Sequence, residues 1–283
     1  MHMRWLITGG GGMLATDLEK TLAERGHEVV TATQHDLDIT DADACVAAVA
    51  GFDVVANAAA WTDVDGAEDH EPVAFAVNAV GAANLARAAT AAGARLLHVS
   101  TDYVFDGDAT EPYPAHAPVA PRSAYGRTKA AGEWAVLAEG DHLIVRTAWL
   151  YGATTGKFPR TIARVLREKG AASVVDDQVG QPTWTADLAD LMVRLADAGA
   201  PRGIYHGTSG GRCSWFELAQ EVAATIGLDP SVVTPTSSAS FAAKAHRPAY
   251  SVLSHDSLEA IGVAPIGDWR ERFRAAAPVI VGA

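Results

Sequence analysis

The sequence predicts an α/β fold: a parallel sheet covered by helices, followed by a smaller C-terminal lobe packed directly on the sheet. Three observations predict it. Residues 4–8 read as a short apolar strand, residues 9–12 as a glycine turn, and residues 13–25 as a helix with Leu14, Leu18 and Leu22 on one face. Strand-like and helical stretches then alternate as far as Trp149, the pattern of parallel strands joined by crossover helices. Two of the strands run out into small or polar residues, Ala58-Ala59-Ala60 and Ser100-Thr101. That leaves space beyond their C-terminal ends, where parallel sheets bind ligands.

In chain order, Gly9 and Gly12 permit a tight turn after the first strand and let backbone N–H groups approach a pyrophosphate. Ala15 is small where a third glycine often eases helix–strand packing. Four glycines alone can be mere loop, but strand, glycine turn and helix together form the context of a dinucleotide fingerprint. Residues 29–33 read as the second strand. Thr33-Gln34-His35 follows it, with neither an acid for the adenosine ribose hydroxyls nor an arginine for a 2′-phosphate, so NADH and NADPH both stay open. Within residues 36–41, Thr40 or Asp41 can cap the next helix, while Asp38 and Ile39 can instead touch an adenine. Residues 53–60 form the third strand, and its alanines either leave room for a cofactor or simply pack closely.

Residues 71–92 are predicted to be one long alanine-rich helix, and residues 95–101 the fourth strand, with Thr101 on the same rim as Ala60. His98, inside that apolar run, is expected to be a satisfied core histidine. Residues 102–124 are a long loop suited to a lid or wall. Ser123 can cap the following helix, which carries Tyr125, Lys129, Glu133 and Trp134. The fifth strand covers residues 143–149 and puts the Trp149 indole at the rim, as a flat wall for a sugar or base.

Beyond it the alternation loosens. Residues 158–169 are a helix bearing Arg160, Arg164 and Arg167, which suits either a solvated face or an anion site. A short strand near Val174 leads to a helix capped near Thr185, residues 203–207 are a short strand, and Ser214-x-x-Glu217 opens an amphipathic helix as a capping box. A last helix starts at Asp268. No repeat and no polar linker divides the chain.

The chemistry centres on Tyr125-Gly126-Arg127-Thr128-Lys129, in which a phenol and an ammonium lie one helical turn apart. A free phenol has a pKa of about 10. A neighbouring ammonium favours the phenolate and is expected to lower that value, which makes the pair a tunable general acid for a ketone becoming an alcohol. Thr101 can supply the hydroxyl that holds the ketone oxygen. A tyrosine and a lysine at this spacing on a surface helix are common, so the weight falls on the glycine turn and the rim residues that precede them.

With 283 residues, 49% of them hydrophobic, the chain can fill a core without staples, and its net charge of −12 opposes nucleic-acid binding. Cys45 and Cys213 are far apart and suggest neither a disulfide framework nor a metal site, so no metal is expected and a reducing cytoplasm fits best. No apolar run reaches membrane-spanning length, and the first strand begins too early to leave room for a signal peptide.

Taken together these residues resemble the dTDP-4-dehydrorhamnose reductase family of extended short-chain dehydrogenases/reductases. The marks span nearly the whole chain: Thr8-Gly9-x-x-Gly12, Leu37-Asp38-Ile39-Thr40-Asp41, Asn57-Ala58-Ala59-Ala60-x-Thr62-x-Val64-Asp65 and Ser100-Thr101-Asp102-Tyr103-Val104-Phe105-Asp106-Gly107. Tyr125-Gly126-x-x-Lys129-x-x-Gly132-Glu133, Arg146-Thr147-x-Trp149-x-Tyr151, Asp177-Gln178-x-Gly180-x-Pro182-Thr183 and Arg247-Pro248 follow. The resemblance implies a doubly wound parallel, Rossmann-type sheet in residues 1–150, with part of 171–207 returning to it, and a substrate lobe mainly in 151–283. It implies NADPH or NADH as cofactor and a dTDP-linked 4-keto-6-deoxyhexose, reduced at C4, as substrate. It assigns Thr101, Tyr125 and Lys129 to catalysis. It assigns Gly9, Gly12, Met13, Leu14, Asp38, Ile39, Ala60, Trp61, Thr62 and Lys129 to the cofactor. Thr62, Val64, Thr101, Asp102, Tyr103, Tyr125, Trp149 and Arg247 would line the substrate pocket. A homodimer is left open.

Two other activities occur in relatives of this fold. A non-catalytic regulatory subunit would lack the tyrosine–lysine pair, which is present. A sugar-nucleotide dehydratase needs an acid pair beside the threonine, and here Asp102 follows Thr101 but Tyr103 stands at the usual Glu position; neither a dehydratase nor an epimerase consumes NADPH in net terms. Lys157 after Gly156, and Tyr250 before Ser251, depart from asparagines usual in the family. Both lie in the substrate half, so they bear on which sugar is bound.

Overall fold

The computed structural model describes residues 2–154 and 157–282, the side chain of Lys157 excepted. Strand β1 (Arg4–Thr8) is buried from Trp5 onward, as befits a strand covered on both faces. It pairs in parallel with β2 (Glu28–Ala32) on one side and β3 (Val54–Asn57) on the other. Strands β4 (Arg95–Thr101), β5 (Leu143–Thr147) and β6 (Gly203–His206) continue the sheet, again in parallel. The order is therefore β2-β1-β3-β4-β5-β6. Chain direction across the sheet reverses between β1 and β3, which opens a crevice at their C-terminal ends.

The helices used below are α1 (Met13–Glu24), α2 (Ala42–Val49), α3 (Ala82–Ala92), α4 (Ala124–Glu139), α5 (Lys157–Lys169), α6 (Thr185–Asp197), α7 (Trp215–Thr225) and α8 (Trp269–Ile280). The twofold alternation of β1 sends Trp5 and Ile7 to one face, where they meet Leu18 and Leu22 of α1 and Leu188, Leu191 and Met192 of α6. Leu6 points to the other face, against Cys45, Val49, Leu85 and Val136 of α2, α3 and α4. Residues 185–206 thus return to the sheet, as α6 and β6. A separate core made by Leu166, Leu218, Val222, Phe273 and Ile280 unites α5, α7 and α8 into the C-terminal lobe. The two cysteines are buried and unpaired, and among the described residues no helix is long and apolar enough to cross a membrane.

Many of the expected local signals operate as written. Asp41 caps α2, Ser123 caps α4 and Asp268 caps α8. Ser214 and Glu217 form a reciprocal capping box.

Three expectations need correction. The helix expected over 71–92 is interrupted: an α-helical turn (Glu71–Phe75) passes into a π-helical turn (Ala76–Gly81) before α3. Gly81 lies where a Cβ would come within 2.6 Å of the Ile39 side chain, and the extra residue of the π turn carries Asn78 inward. Thr185 does not cap α6, whose flanking Trp184 makes no capping bond. Its hydroxyl joins Asp17 and the Tyr151 carbonyl instead. The fifth strand stops at Thr147, because Trp149 has φ +46° and a second short strand, Leu150–Tyr151, then pairs with Thr183–Trp184. Of the two readings offered for the arginine stripe of α5, the solvated face holds: all three arginines are exposed. Arg160 and Arg167 donate to the carbonyls of Ile280 and Val281 at the end of α8, and Arg164 pairs with Glu168. The last carbonyls of a helix carry partial negative charge, so they take the cations.

The 102–124 loop packs as a wall in this structure. Phe105 and Tyr113 stack at 4.3 Å, and the Tyr113 N–H donates to the Val252 carbonyl at 2.9 Å.

Candidate active site

The crevice at the C-terminal ends of β1 and β3 widens into a cleft of about 970 Å³ between the sheet and the C-terminal lobe. It is floored by the turn after β1. Gly9 has φ +84°, and a Cβ there would lie 2.7 Å from the Ala58–Ala59 peptide. Helix α1 begins at Gly12 with no side-chain cap and no acid in its first turn, so its N–H groups remain available to an anion. Such a cradle fits a dinucleotide pyrophosphate. Gly9, Gly12, Met13 and Leu14 face the cleft here, and Asp38 and Ile39 face it at the far end. Asp38 also accepts from the Thr40 N–H and hydroxyl at 2.9 and 2.8 Å, bonds that hold its carboxyl below the usual range.

Beyond β3, Ala60, Trp61, Thr62 and Val64 continue the wall. Asn78 holds this segment: its amide accepts from the Trp61 N–H at 2.8 Å and donates to the Trp61 carbonyl at 3.2 Å and to the Thr128 hydroxyl at 3.0 Å. The π turn is what brings Asn78 to both partners. Gly132 of α4 completes the fit, since a Cβ there would lie 2.2 Å from the Asn78 carbonyl.

Thr101, Tyr125 and Lys129 all line the same cleft. Thr101 ends β4, with its hydroxyl donating to Asp102 at 3.0 Å and accepting from the Tyr103 N–H at 3.2 Å. Tyr125 lies in the first turn of α4, its ring edge-on to Tyr103 at 5.6 Å. Gly126 lets α4 approach this closely, because a Cβ there would sit 2.2 Å from the Tyr103 carbonyl. Burial pushes the Tyr125 phenol up to about 12, opposed by the Thr101 hydroxyl and reinforced by the Asp102 carboxyl. The expected depression by Lys129 does not operate in this arrangement. The lysine Nζ turns to the Val99 carbonyl at 2.7 Å and the His98 ring at 3.4 Å instead. Burial brings its own pKa down to about 8, opposed by Glu133. His98 is a satisfied core histidine as expected, its two ring nitrogens meeting Asn57 and Lys129.

Asp102 is 2% exposed, and its Oδ2 has no hydrogen-bond partner. Burial raises its carboxyl to about 6, opposed by the nearby Ser251 and Thr101 hydroxyls. An acid whose pKa is higher folded than unfolded stabilises the fold below its unfolded pKa and loses that contribution as pH rises through the folded one. Stability should therefore fall by roughly 3 kcal/mol on this account as pH climbs through 4 to 6. Urea titrations across that window should show the fall in the parent and its absence in Asp102→Asn. Parallel curves for the two proteins would reject it.

The lobe side of the cleft is aromatic. Trp149 lies flat on Trp215, with centroids 3.5 Å apart and planes within 6°. Gly180 makes room for it, since a Cβ would fall 2.5 Å from the indole. Gln178 accepts from the Trp215 indole N–H at 3.2 Å. Arg247 pairs with Asp65 at 2.8 Å through one nitrogen, while its Nη1 is buried without a partner. Every site residue named from the sequence lines this one cleft. Asn78, Gln178, Trp215 and Ser251 were not singled out for the site. A signal existed for Gln178, in the Asp177-Gln178-x-Gly180 motif, and for Trp215, beside the capping box. None existed for Asn78, whose role depends on the π turn. Tyr250 meets Arg212 at 3.4 Å, whereas Gly156 and the Lys157 side chain lie outside the described residues.

A glycine cradle at the switch point of a parallel sheet, with a threonine, a tyrosine and a lysine at its rim, defines a short-chain dehydrogenase/reductase of the extended type. The chain matches the family model described as RmlD substrate binding domain over residues 3–279. It is 47% identical to a probable dTDP-4,6-dihydroxy-2-methyloxan-3-one 4-ketoreductase of Streptomyces antibioticus, over 99% of this chain and 97% of that one. It is 46% identical to a dTDP-4-dehydrorhamnose reductase of Streptomyces griseus, over 99% and 94%. A solved dTDP-4-dehydrorhamnose reductase of Bacillus anthracis, in complex with NADP, is similar with a TM-score of 0.92 at 35% identity, covering 98% of this chain and 99% of that one. The chain belongs to the dTDP-4-dehydrorhamnose reductase family.

Proposed function

We propose that this protein reduces the C4 ketone of a dTDP-4-keto-6-deoxyhexose to the alcohol, with NADPH or NADH as reductant. The observation that carries this is the convergence of the glycine cradle with Thr101, Tyr125 and Lys129 in one cleft. Bound reduced nicotinamide supplies the hydride to the carbonyl carbon. The Thr101 hydroxyl bonds the carbonyl oxygen and stabilises charge as it develops there. Tyr125 gives that oxygen its proton, and at neutral pH the phenol is in the protonated form that a reduction requires. Lys129, which lines the same cleft, would bond the nicotinamide ribose. Residues 1–150 would chiefly hold the cofactor. The sugar nucleotide would lie against the lobe, with its sugar or base on Trp149 and Trp215 and its diphosphate near the Arg247 side chain that lines the cleft.

Loss of absorbance at about 340 nm with a panel of dTDP-4-keto sugars, and NMR of the products, tests this directly. Stoichiometric cofactor oxidation with a new C4 alcohol is expected. Conversion without cofactor consumption would replace the reading with epimerisation or dehydration. We assign the protein to the cytoplasm, where both thiols would stay reduced. A homodimer is part of the proposal, because the Trp134 indole of α4 is exposed. Light scattering at micromolar concentration reads it.

A further inference from the structure

We propose that His98 is a positioning residue that sets the charge of Lys129, by turning a ring N–H toward the lysine amine. The inference concerns the lysine of the reductase reading above and rests on that reading for its catalytic consequence. The geometry begins at β1. The Thr8 hydroxyl and the Ala59 N–H both donate to Asn57 Oδ1, at 2.8 and 3.1 Å. A flipped Asn57 amide would set its NH2 group against the Ala59 N–H, so the backbone fixes the amide orientation. Its Nδ2 therefore donates to His98 Nδ1, at 3.0 Å. An Nδ1 that accepts leaves the neutral ring its proton on Nε2, and that N–H faces Lys129 Nζ at 3.4 Å. An imidazolium is excluded by the same contact, since its second N–H would meet the asparagine donor. Burial and the lysine's charge likewise drive the His98 pKa well down.

Against a fixed N–H, a neutral amine can accept a hydrogen bond, whereas an ammonium meets donor with donor. The Val99 carbonyl accepts from the lysine in either state, at 2.7 Å. Other groups around Lys129 push less or are already engaged. Glu133, one turn along α4, favours the ammonium but is bound by Arg146 from β5 and Ser100 from β4. Asp102 and Tyr103, on the turn after β4, lie on the Thr101 and Tyr125 side. The π turn offers only the uncharged Asn78, and Glu68 and Glu71 are taken by the Ala124 N–H and by Arg127. The lysine is thus held ready to release its proton in the cleft it shares with the tyrosine that must be reprotonated after each turnover.

The test is titration of protein labelled with 13Cε-lysine, in which Lys129→Met identifies the resonance among Lys20, Lys157, Lys169 and Lys244. His98→Phe keeps the site dry but removes the N–H. Lys129 should then bind its proton about tenfold more tightly or better, and its midpoint should rise. Asn57→Asp supplies the second variant. Its carboxylate would accept from Nδ1–H, turn the Nε2 lone pair to the lysine, and raise the midpoint as well. The alkaline limb of kcat should move with each. A purely structural His98 would lower the melting temperature and leave the midpoint in place. An unmoved Lys129 midpoint in a folded His98→Phe, or in Asn57→Asp should the first variant fail to fold, overturns the proposal. The titration needs no turnover, so its outcome is separate from that of the reductase assignment.

Discussion

Tyr125→Phe should turn over at least about a hundredfold more slowly than the parent, the scale of general acid catalysis. Cofactor affinity should change little. The half-buried phenol lies beside Thr101 and Asp102, and the variant removes only its oxygen. The ring keeps its edge-on contact with Tyr103, and Gly126 still seats the helix against the Tyr103 carbonyl. Stopped-flow measurement of hydride transfer would report the chemical step, and quenching of tryptophan fluorescence would report cofactor binding. A variant with near-parental hydride transfer would remove Tyr125 from the mechanism and hand the proton to another group. Asp102 would be the first candidate, because its free Oδ2 and raised pKa make it the other acid at the rim.

Glu133→Gln should cost about 3–5 kcal/mol of stability, the expected penalty for leaving a buried cation without its partner. Arg146 and Glu133 are 2% and 1% exposed at the side chain and 2.7 Å apart. The carboxylate also takes the Arg146 Nε at 2.8 Å and the Ser100 hydroxyl at 2.5 Å. One carboxylate therefore ties α4 to both β4 and β5, next to Thr101 and one turn beyond Lys129. Arg146 carries the tie further, to the Ala115 carbonyl and over the Phe105 ring of the loop wall. Replacing both partners by apolar residues, as Glu133→Leu with Arg146→Met, should cost less than Glu133→Gln alone, because no charge is then stranded. Chemical denaturation followed by circular dichroism decides it. A loss below about 1 kcal/mol in the single variant would mean that water reaches Arg146 and that the pair is not the anchor described.

Much of the site was legible because its chemistry is written in short-range patterns. Gly9 and Gly12 announce a backbone path closed to other residues, and Tyr125 and Lys129 announce a helix face. Thr101 and Ala60 announce strand ends, where a parallel sheet puts its ligands. Caps such as Ser123 and Asp268 act within three residues of themselves. Patterns of this kind depend on neighbours in the chain, and the chain states them directly.

Other properties depend on what a side chain meets across the fold. The arginines of α5 have helical spacing whether they face water, an anion or a helix end, and only the approach of α8 settles that Arg160 and Arg167 hold Ile280 and Val281. An alanine-rich run does not disclose the π turn that carries Asn78 inward, because the cause lies in Ile39 and Trp61. The sequence by itself determined the α/β class, the cradle and the side chains that meet in the cleft. The tertiary structure alone decided how those side chains are charged and oriented: the tautomer of His98, the turn of Lys129 away from Tyr125, and the protonation of Asp102. The reason is that a buried polar group takes its state from the few donors and acceptors that surround it, and here those partners come from distant parts of the chain.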